Sequence, residues 1–275
     1  AFSIAKEFDD KLKISKYLNN IGIWYWKDYD YSKAIDYYEK SLIIKEELGD
    51  TRNYGKTLNN LGEVYYDIGD FSSAIDYFNQ SISIKEKLND NKGLNSTLFN
   101  LGEAQVYNTN YHDAFPNFRK SLSISINLDD FYQIALGYIG LGIVHFNISN
   151  YDSASYYFEK ADSIIVDFPV NRLTTLSWLA AISMMDNQQE KGLNYIQSFN
   201  DIFVQTDPKH KDIITLNWNM YQAHLLNGNK KSAKKYLENS YLELKSRSKN
   251  IKNKKDRNQY LSIRLHQDIN KAWNN

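Results

Sequence analysis

Three asparagines recur at a spacing of 40 residues, and their side chains have the chemistry to hold a peptide backbone. Asn20, Asn60 and Asn100 each stand two residues before a glycine. A carboxamide offers two N–H donors and one acceptor oxygen, which are the groups that a backbone amide pairs with. These three residues are called the amide ladder below. If they share one surface, they predict a site for an extended peptide.

Catalysis has little support in the sequence. Glu63 and Glu103 stand 40 residues apart at equivalent positions and could form an acid–base pair. Adjacent packed helices, however, have axes about 8–10 Å apart, which favours exposed charge or ligand contact instead. The histidines are scattered without metal-ligand spacing, at His112, His145, His210, His224 and His266. We therefore expect no enzymatic activity, no metal and no cofactor.

Composition favours a helical body without disulfides. The 275 residues include 42% hydrophobic residues, 22 tyrosines, 12 glycines and three prolines, which favours long regular elements over disorder. Cysteine is absent, so disulfides and thiolate catalysis are excluded, although this does not fix the compartment. No apolar run approaches the ~20 residues that a membrane-spanning helix needs.

The net charge of zero hides one basic segment. Residues 230–264 hold 12 Lys or Arg side chains and three acidic ones. Such a segment could meet nucleic acid, an anionic membrane or an acidic partner, but a solvated closing helix is the simpler interpretation. Few aromatics interleave with the charges, so binding of nucleic acid through stacked bases is not expected.

A fixed 40-residue period runs through most of the chain. Glycines and alanines recur at that interval, with each alanine 12 residues after its glycine: Gly22, Gly62, Gly102, Gly142, Ala34, Ala74, Ala114 and Ala154. Apolar residues between them recur at three- and four-residue steps, as in amphipathic helices. A period in this range predicts a stack of repeated helical hairpins.

The residues of each unit resemble the tetratricopeptide repeat. The pattern Leu58-x2-Leu61-Gly62-x2-Tyr65 followed by Ala74-x3-Phe78 is similar to its motif, although the closing proline is absent. The unit here is 40 residues long, whereas the usual unit of the family has 34 residues. In this respect it resembles the longer repeats of kinesin light chains and of bacterial peptide-sensing regulators. The resemblance implies an all-α fold, a right-handed α-solenoid of antiparallel helix hairpins.

The repeats predict the domain organisation. Residues 1–12 align with the end of a unit, so we expect the second helix of a truncated upstream repeat there. Four regular units follow over 13–168, and two degenerate units over 169–250. Residues 251–275 are expected to form a C-terminal cap, with one amphipathic helix over 255–273. Pro116 is expected to distort its helix mildly.

The resemblance also implies a concave groove lined by the first helix of each hairpin. In that family an inner asparagine holds extended peptides, a role that the resemblance assigns to Asn20, Asn60 and Asn100. The other first-helix residues not needed for packing are the expected groove residues: Lys16, Lys56, Glu63, Glu103, Trp26, Tyr66, Tyr107 and Phe146. The alternative is that the aromatics pack between neighbouring first helices and the asparagines face water.

Two functional hypotheses follow. The first is a non-enzymatic scaffold that binds a protein or peptide segment in the groove. The second is a sensor or regulatory segment of a larger bacterial signalling protein, attached to a kinase, a cyclase or a transcription regulator. The expected partner is a protein or peptide in both cases.

Overall fold

The fold is built from helices alone in the part of the chain that the computed structural model describes, residues 10–205 and 213–275. This confirms the expected all-α fold of helical hairpins. The helices are α1 (Lys11–Lys27), α2 (Tyr31–Glu47), α3 (Thr51–Ile68), α4 (Phe71–Lys87), α5 (Asn91–Tyr107), α6 (Tyr111–Asn127), α7 (Phe131–Asn147), α8 (Tyr151–Ile164), α9 (Pro169–Met185), α10 (Gln189–Gln205), α11 (Ile213–Leu226), α12 (Lys230–Asn250), α13 (Lys254–Leu261) and α14 (Arg264–Asn274).

The chain divides into two compact units. Unit 1 comprises residues 1–124 and 248–263, and unit 2 comprises residues 125–247 and 264–275. Of the helix expected over 1–12, residues 1–9 lie outside the described residues, and α1 already begins at Lys11. Within the described ranges no helix is both long and apolar enough to cross a membrane.

Aspartates begin the helices of unit 1 at regular intervals of 20 residues. Each accepts a hydrogen bond from the backbone N–H three residues later, which satisfies a donor that the helix itself leaves unpaired. The caps are Asp10, Asp30, Asp50, Asp70 and Asp90. From Asp30 onwards, each cap is the last residue of a two- or three-residue connection. The position of the aspartate therefore indicates where the next helix begins.

The repeated glycines pack against aromatic rings of the second helix. A Cβ added to Gly62 would lie 2.5 Å from the Phe78 ring, and one added to Gly102 would lie 2.7 Å from the Phe118 ring. The equivalent ring in the first hairpin belongs to Tyr38, which is fully buried. The structure shows that a ring from 16 residues further along the chain fills the space above each glycine.

A second repeated contact joins residues 12 positions apart. Tyr25 stacks on Tyr37 and Tyr65 on Tyr77, each pair with ring centroids 5.3 Å apart. In unit 2 the same position holds a histidine in two hairpins, and His224 stacks on Tyr236 at 5.4 Å. The contact is therefore kept when histidine replaces the first tyrosine, because stacking requires only two flat rings.

One expectation about helix continuity is corrected. The single helix expected over 255–273 is two helices, α13 and α14, separated at Ser262 and Ile263. The Ser262 hydroxyl donates back to the carbonyl of Gln259, and Ile263 lies against Gly69 in the α3–α4 turn of unit 1. Pro116, in contrast, lies inside an uninterrupted α6.

Candidate functional site

The amide ladder lies on three neighbouring first helices of unit 1, α1, α3 and α5. The Nδ2 of Asn60 donates to the Oδ1 of Asn19 on α1 at 3.4 Å. The Nδ2 of Asn100 donates to Glu63 on α3 at 3.0 Å. Asn20 is exposed, whereas Asn60 and Asn100 are half-buried. Asn60 and Asn100 therefore each link their own first helix to the preceding first helix.

The ladder presents acceptor oxygens. Asn60 and Asn100 each use the Nδ2 group for the bond to the preceding helix. No side chain or backbone group in residues 10–205 and 213–275 donates to the Oδ1 of either residue. A carbonyl oxygen with two lone pairs and partial exposure can accept a hydrogen bond from a ligand N–H.

A buried layer behind the ladder was missed at the sequence level. Thr57 donates to the Oδ1 of Asn19 at 2.9 Å, and Thr97 donates to the Oδ1 of Asn59 at 2.7 Å. The available signal was the 40-residue recurrence of a threonine and an asparagine beside the ladder. That signal is weak because those positions fall on the packed face, where buried residues are ordinarily apolar.

Two buried lysines complete this layer. Lys45 donates to Thr57 and Lys85 donates to Thr97, and only 3% of the Lys45 residue and 6% of the Lys85 residue are exposed to solvent. Burial lowers the pKa of both ammonium groups to about 8, since a charged group is costly to remove from water. Both lysines belong to second helices, so each reaches into the first helix of the next hairpin.

The carboxylate of Glu63 contacts the amide ladder through Asn100. It accepts hydrogen bonds from Asn59 at 2.8 Å and from Asn100 at 3.0 Å. Glu103 is half-buried on α5, and Lys16 and Lys56 are exposed on α1 and α3. The two amide contacts give Glu63 a positioning role between successive first helices.

The expected groove aromatics make contacts between neighbouring first helices. The indole N–H of Trp26 donates to Asp67 at 2.7 Å. Tyr66 meets Tyr107 edge to face, with centroids 5.6 Å apart, and Tyr107 stacks on Phe71 at 5.3 Å. Tyr107 remains 38% exposed, so packing does not remove it from solvent.

In unit 2, Phe146 is placed in the same manner. Its ring lies 4.7 Å from that of Trp178 and 5.6 Å from that of Tyr151. The packing alternative considered for the aromatics therefore describes their observed contacts, and any contact with a ligand is an additional role for their exposed edges.

Unit 2 also contains an amide in the ladder position. Asn219 on α11 stands ten residues before the helix-starting Asn229, as Asn60 stands before Asp70. Its Nδ2 donates to the hydroxyl of Ser177 on the preceding first helix at 3.3 Å. It is only 3% exposed, so it can link helices but offers little surface to a ligand. The 40-residue period does not extend to this part of the chain, so the period does not identify Asn219.

Two histidines of the described chain pack against tyrosine rings. Burial lowers the pKa of His145 and of His224, both of which stack on tyrosines. His210 lies outside the described residues. Within the described ranges there is no group of three or more His, Asp or Glu side chains suited to a metal ion.

Comparison with known protein families finds a match in the first hairpins. Residues 13–87 match the family model of the tetratricopeptide repeat. The matched segment spans the two hairpins formed by α1 to α4. No curated protein sequence matches the chain.

Several solved structures share this fold. A Rap protein complexed with competence and sporulation factor has a TM-score of 0.68 at 16% identity, over 94% of this chain and 75% of that chain. The Rap conjugation gene regulator of plasmid pLS20, in complex with the Phr* peptide, gives 0.67 at 18%, over 98% and 78%. Aspartyl phosphate phosphatase F from Bacillus subtilis gives 0.73 at 15%, over 98% and 73%. Because these sequence identities are low, the similarity shows a shared fold and nothing more.

Proposed function

We propose that this protein is a non-enzymatic scaffold whose amide ladder binds an extended peptide or protein segment. The observation that carries the proposal is the orientation of Asn60 and Asn100, whose Nδ2 groups are used between helices while the Oδ1 atoms have no donor in the described residues. A peptide backbone supplies N–H groups for such oxygens.

The spacing of first helices fits an extended ligand. Packed helices lie about 8–10 Å apart, and an extended chain rises about 3.1–3.4 Å per residue. One step of the ladder therefore corresponds to two or three peptide residues. Three asparagines, with two steps between them, would span about five to seven residues.

The other groove residues give the ligand its side-chain contacts. The exposed edge of Tyr107 offers apolar area to a ligand side chain, and the exposed Lys16 and Lys56 offer positive charge at the same wall. Rap proteins in complex with competence and sporulation factor and with the Phr* peptide support the proposal, since they share the fold. The partner we propose is thus a short peptide or an extended segment of a protein.

A second candidate is that the repeats form the regulatory segment of a larger bacterial signalling protein. The observation that favours it is the likeness to a Rap conjugation gene regulator and to an aspartyl phosphate phosphatase. In that role, occupancy of the amide ladder would control an attached domain. A kinase, cyclase or DNA-binding domain encoded in the same polypeptide would support this candidate, and its absence from the complete gene would oppose it.

The test is a selection of random heptapeptides by display, followed by calorimetric titration of the best binder. We expect the double substitution Asn60→Ala with Asn100→Ala to weaken binding about 30-fold, because two hydrogen bonds of about 1 kcal/mol each are lost. The control is Asn79→Ala, an exposed asparagine on the second helix α4. Equal affinity of the double variant and the wild type would contradict the proposal.

A further inference from the structure

A continuous chain of hydrogen bonds runs from a buried ammonium group to the amide ladder. Lys85 donates to Thr97, which donates to the Oδ1 of Asn59 at 2.7 Å. The Nδ2 of Asn59 donates to Glu63 at 2.8 Å, and Glu63 also accepts from Asn100 at 3.0 Å. Every member of this chain belongs to unit 1.

A second chain of the same kind lies one hairpin earlier. Lys45 donates to Thr57, which donates to the Oδ1 of Asn19 at 2.9 Å. The same oxygen accepts from the Nδ2 of Asn60 at 3.4 Å. Both chains therefore start at a buried lysine and end at a residue of the ladder.

The chemistry of the ammonium group determines the direction of each chain. An ammonium group has three donors and no acceptor, so the threonine oxygen must accept from it. The single hydroxyl proton of Thr97 has two acceptors in reach, the Oδ1 of Asn59 at 2.7 Å and the carbonyl of Gly93 at 3.1 Å, and the shorter contact directs it to Asn59, whose oxygen is turned inward. The Nδ2 of Asn59 consequently points to Glu63, which in turn holds the Nδ2 of Asn100.

We propose that Lys45 and Lys85 are positioning residues that fix the polarity of the amide ladder, so that it presents carbonyl oxygens to a ligand. This inference concerns the free protein but gains its functional meaning from the proposed peptide binding. The positively charged end of each chain makes the opposite orientation of the amides unfavourable. The ladder then selects backbone N–H donors.

The sequence register agrees with this role. The positions equivalent to the lysine, threonine and inner asparagine in the next repeat are Ser125, Gly137 and Phe99, and the ladder position there is Gly140. The lysine and threonine are thus present for the two steps between ladder asparagines and absent at the following step. If the lysine and the threonine only joined neighbouring hairpins, they would be expected at every step, whether or not a ladder asparagine is present.

The charged groups around the two lysines influence the pH range in which the hydrogen bonds of the two chains can rearrange. Asp50 and Lys56 face Lys45, while Asp90, Glu63 and Lys56 face Lys85. Burial outweighs the acidic neighbours and lowers both pKa values to about 8. Above that pH the neutral amine can accept a hydrogen bond from the threonine, which then no longer donates to the asparagine.

The experiment is a pH titration of the full chain by carbon-detected NMR, which follows the side-chain carbonyl of each asparagine without exchangeable protons. In the wild type, we expect the Asn59 signal to titrate between pH 6.5 and 9.5 with the same midpoint as the Cε of Lys85. Lys85→Met should abolish the titration of Asn59 and leave that of Asn19, while Lys45→Met should do the reverse. Lys87→Met, which removes an exposed lysine of the same helix, is the control and should change neither.

The proposal would be overturned if the Asn59 signal of the wild type does not titrate with the midpoint of Lys85. It would also be overturned if the Asn59 signal still titrates in Lys85→Met. The wild-type titration decides the matter even where a variant does not fold. Because no peptide is present, failure of peptide binding and failure of this inference are separate results.

Discussion

At the scale of single residues, one buried hydroxyl departs from its equivalents in the repeat. Tyr38 is fully buried, and its hydroxyl has no hydrogen-bond partner among the described residues, whereas the next three hairpins carry Phe78, Phe118 and Phe158 there. An unpaired buried polar group costs about 1–3 kcal/mol. The hydroxyl is therefore a local defect in an otherwise apolar contact.

We expect Tyr38→Phe to stabilise the protein by about 1 kcal/mol because it removes this unpaired group. Chemical denaturation of the wild type and variant would measure the change in the free energy of unfolding. The reverse substitution, Phe78→Tyr, is the matched control and should be destabilising. A loss of stability in Tyr38→Phe would show that the hydroxyl has a partner.

A second residue-scale prediction concerns acid sensitivity. Burial lowers the pKa of His224, so the unfolded chain binds the proton more readily than the folded one. The stability of the neutral form is fully present above the unfolded pKa of about 6.5 and is lost as the pH falls below it.

We expect His224→Phe, which keeps a ring on Tyr236, to reduce the loss of stability between pH 7.5 and 5. Urea midpoints at the two pH values would measure it. His112→Gln, at an exposed histidine, is the control and should behave as the wild type. An unchanged difference between the two pH values in His224→Phe would contradict the assignment.

At this scale the repetition of Asn20, Asn60 and Asn100 is visible in the printed chain. The burial of Lys45 and Lys85 is not, because a lysine in an amphipathic helix ordinarily extends its charge to water. Only the packing of two hairpins shows that these two are enclosed.

At the scale of elements, each hairpin depends on the fit between a glycine and a ring. A methyl group at position 62 would lie 2.5 Å from the Phe78 ring, much closer than atoms can approach. Overpacking of this kind costs about 1–3 kcal/mol, which outweighs the gain of about 1 kcal/mol from a better helix former.

We therefore expect Gly62→Ala to lower the free energy of unfolding, with partial rescue in the double variant Gly62→Ala with Phe78→Leu. Denaturation of the two variants and of Phe78→Leu alone would provide a double-mutant cycle. Stabilisation by Gly62→Ala alone would rule out the close fit.

Helix positions were largely predictable, because capping aspartates and the three- and four-residue apolar steps are local signals. The break between α13 and α14 was not. Apolar residues continue at helical spacing through both, including the buried Tyr260 and Ile269. The break accompanies a tertiary contact of Ile263 with Gly69, about 190 residues away in sequence, and no local pattern encodes that.

At the scale of the whole chain, residues 248–263 return to the first hairpins of unit 1. The backbone N–H of Lys252 donates to the carbonyl of Tyr29 at 3.2 Å, and Gln259 donates to the carbonyl of Gly69 at 3.1 Å. Asn253 and Asp256 both bond to the hydroxyl of Ser32. Repeat stacking predicts contacts only between sequence neighbours, so this return could not be inferred from the period.

We expect the double substitution Gln259→Ala with Ile263→Ala to raise the hydrogen-exchange rate of the α3–α4 turn around Gly69, because both side chains cover it. Mass spectrometry of deuterated peptides would measure the rate. Lys255→Ala, at an exposed residue of the same helix, is the control. Unchanged protection at Gly69 would show that the segment does not stabilise the turn.

The glycine-to-ring fit has a consequence for how such a protein can diversify. Because the fit lies inside one hairpin, a block such as residues 51–90 carries its own internal packing, together with one ladder asparagine and one enclosed lysine. Duplication of that block would add one asparagine to the amide ladder while leaving each existing fit intact. The number of amides can thus change by copying DNA in units of whole hairpins, with no need to redesign a core.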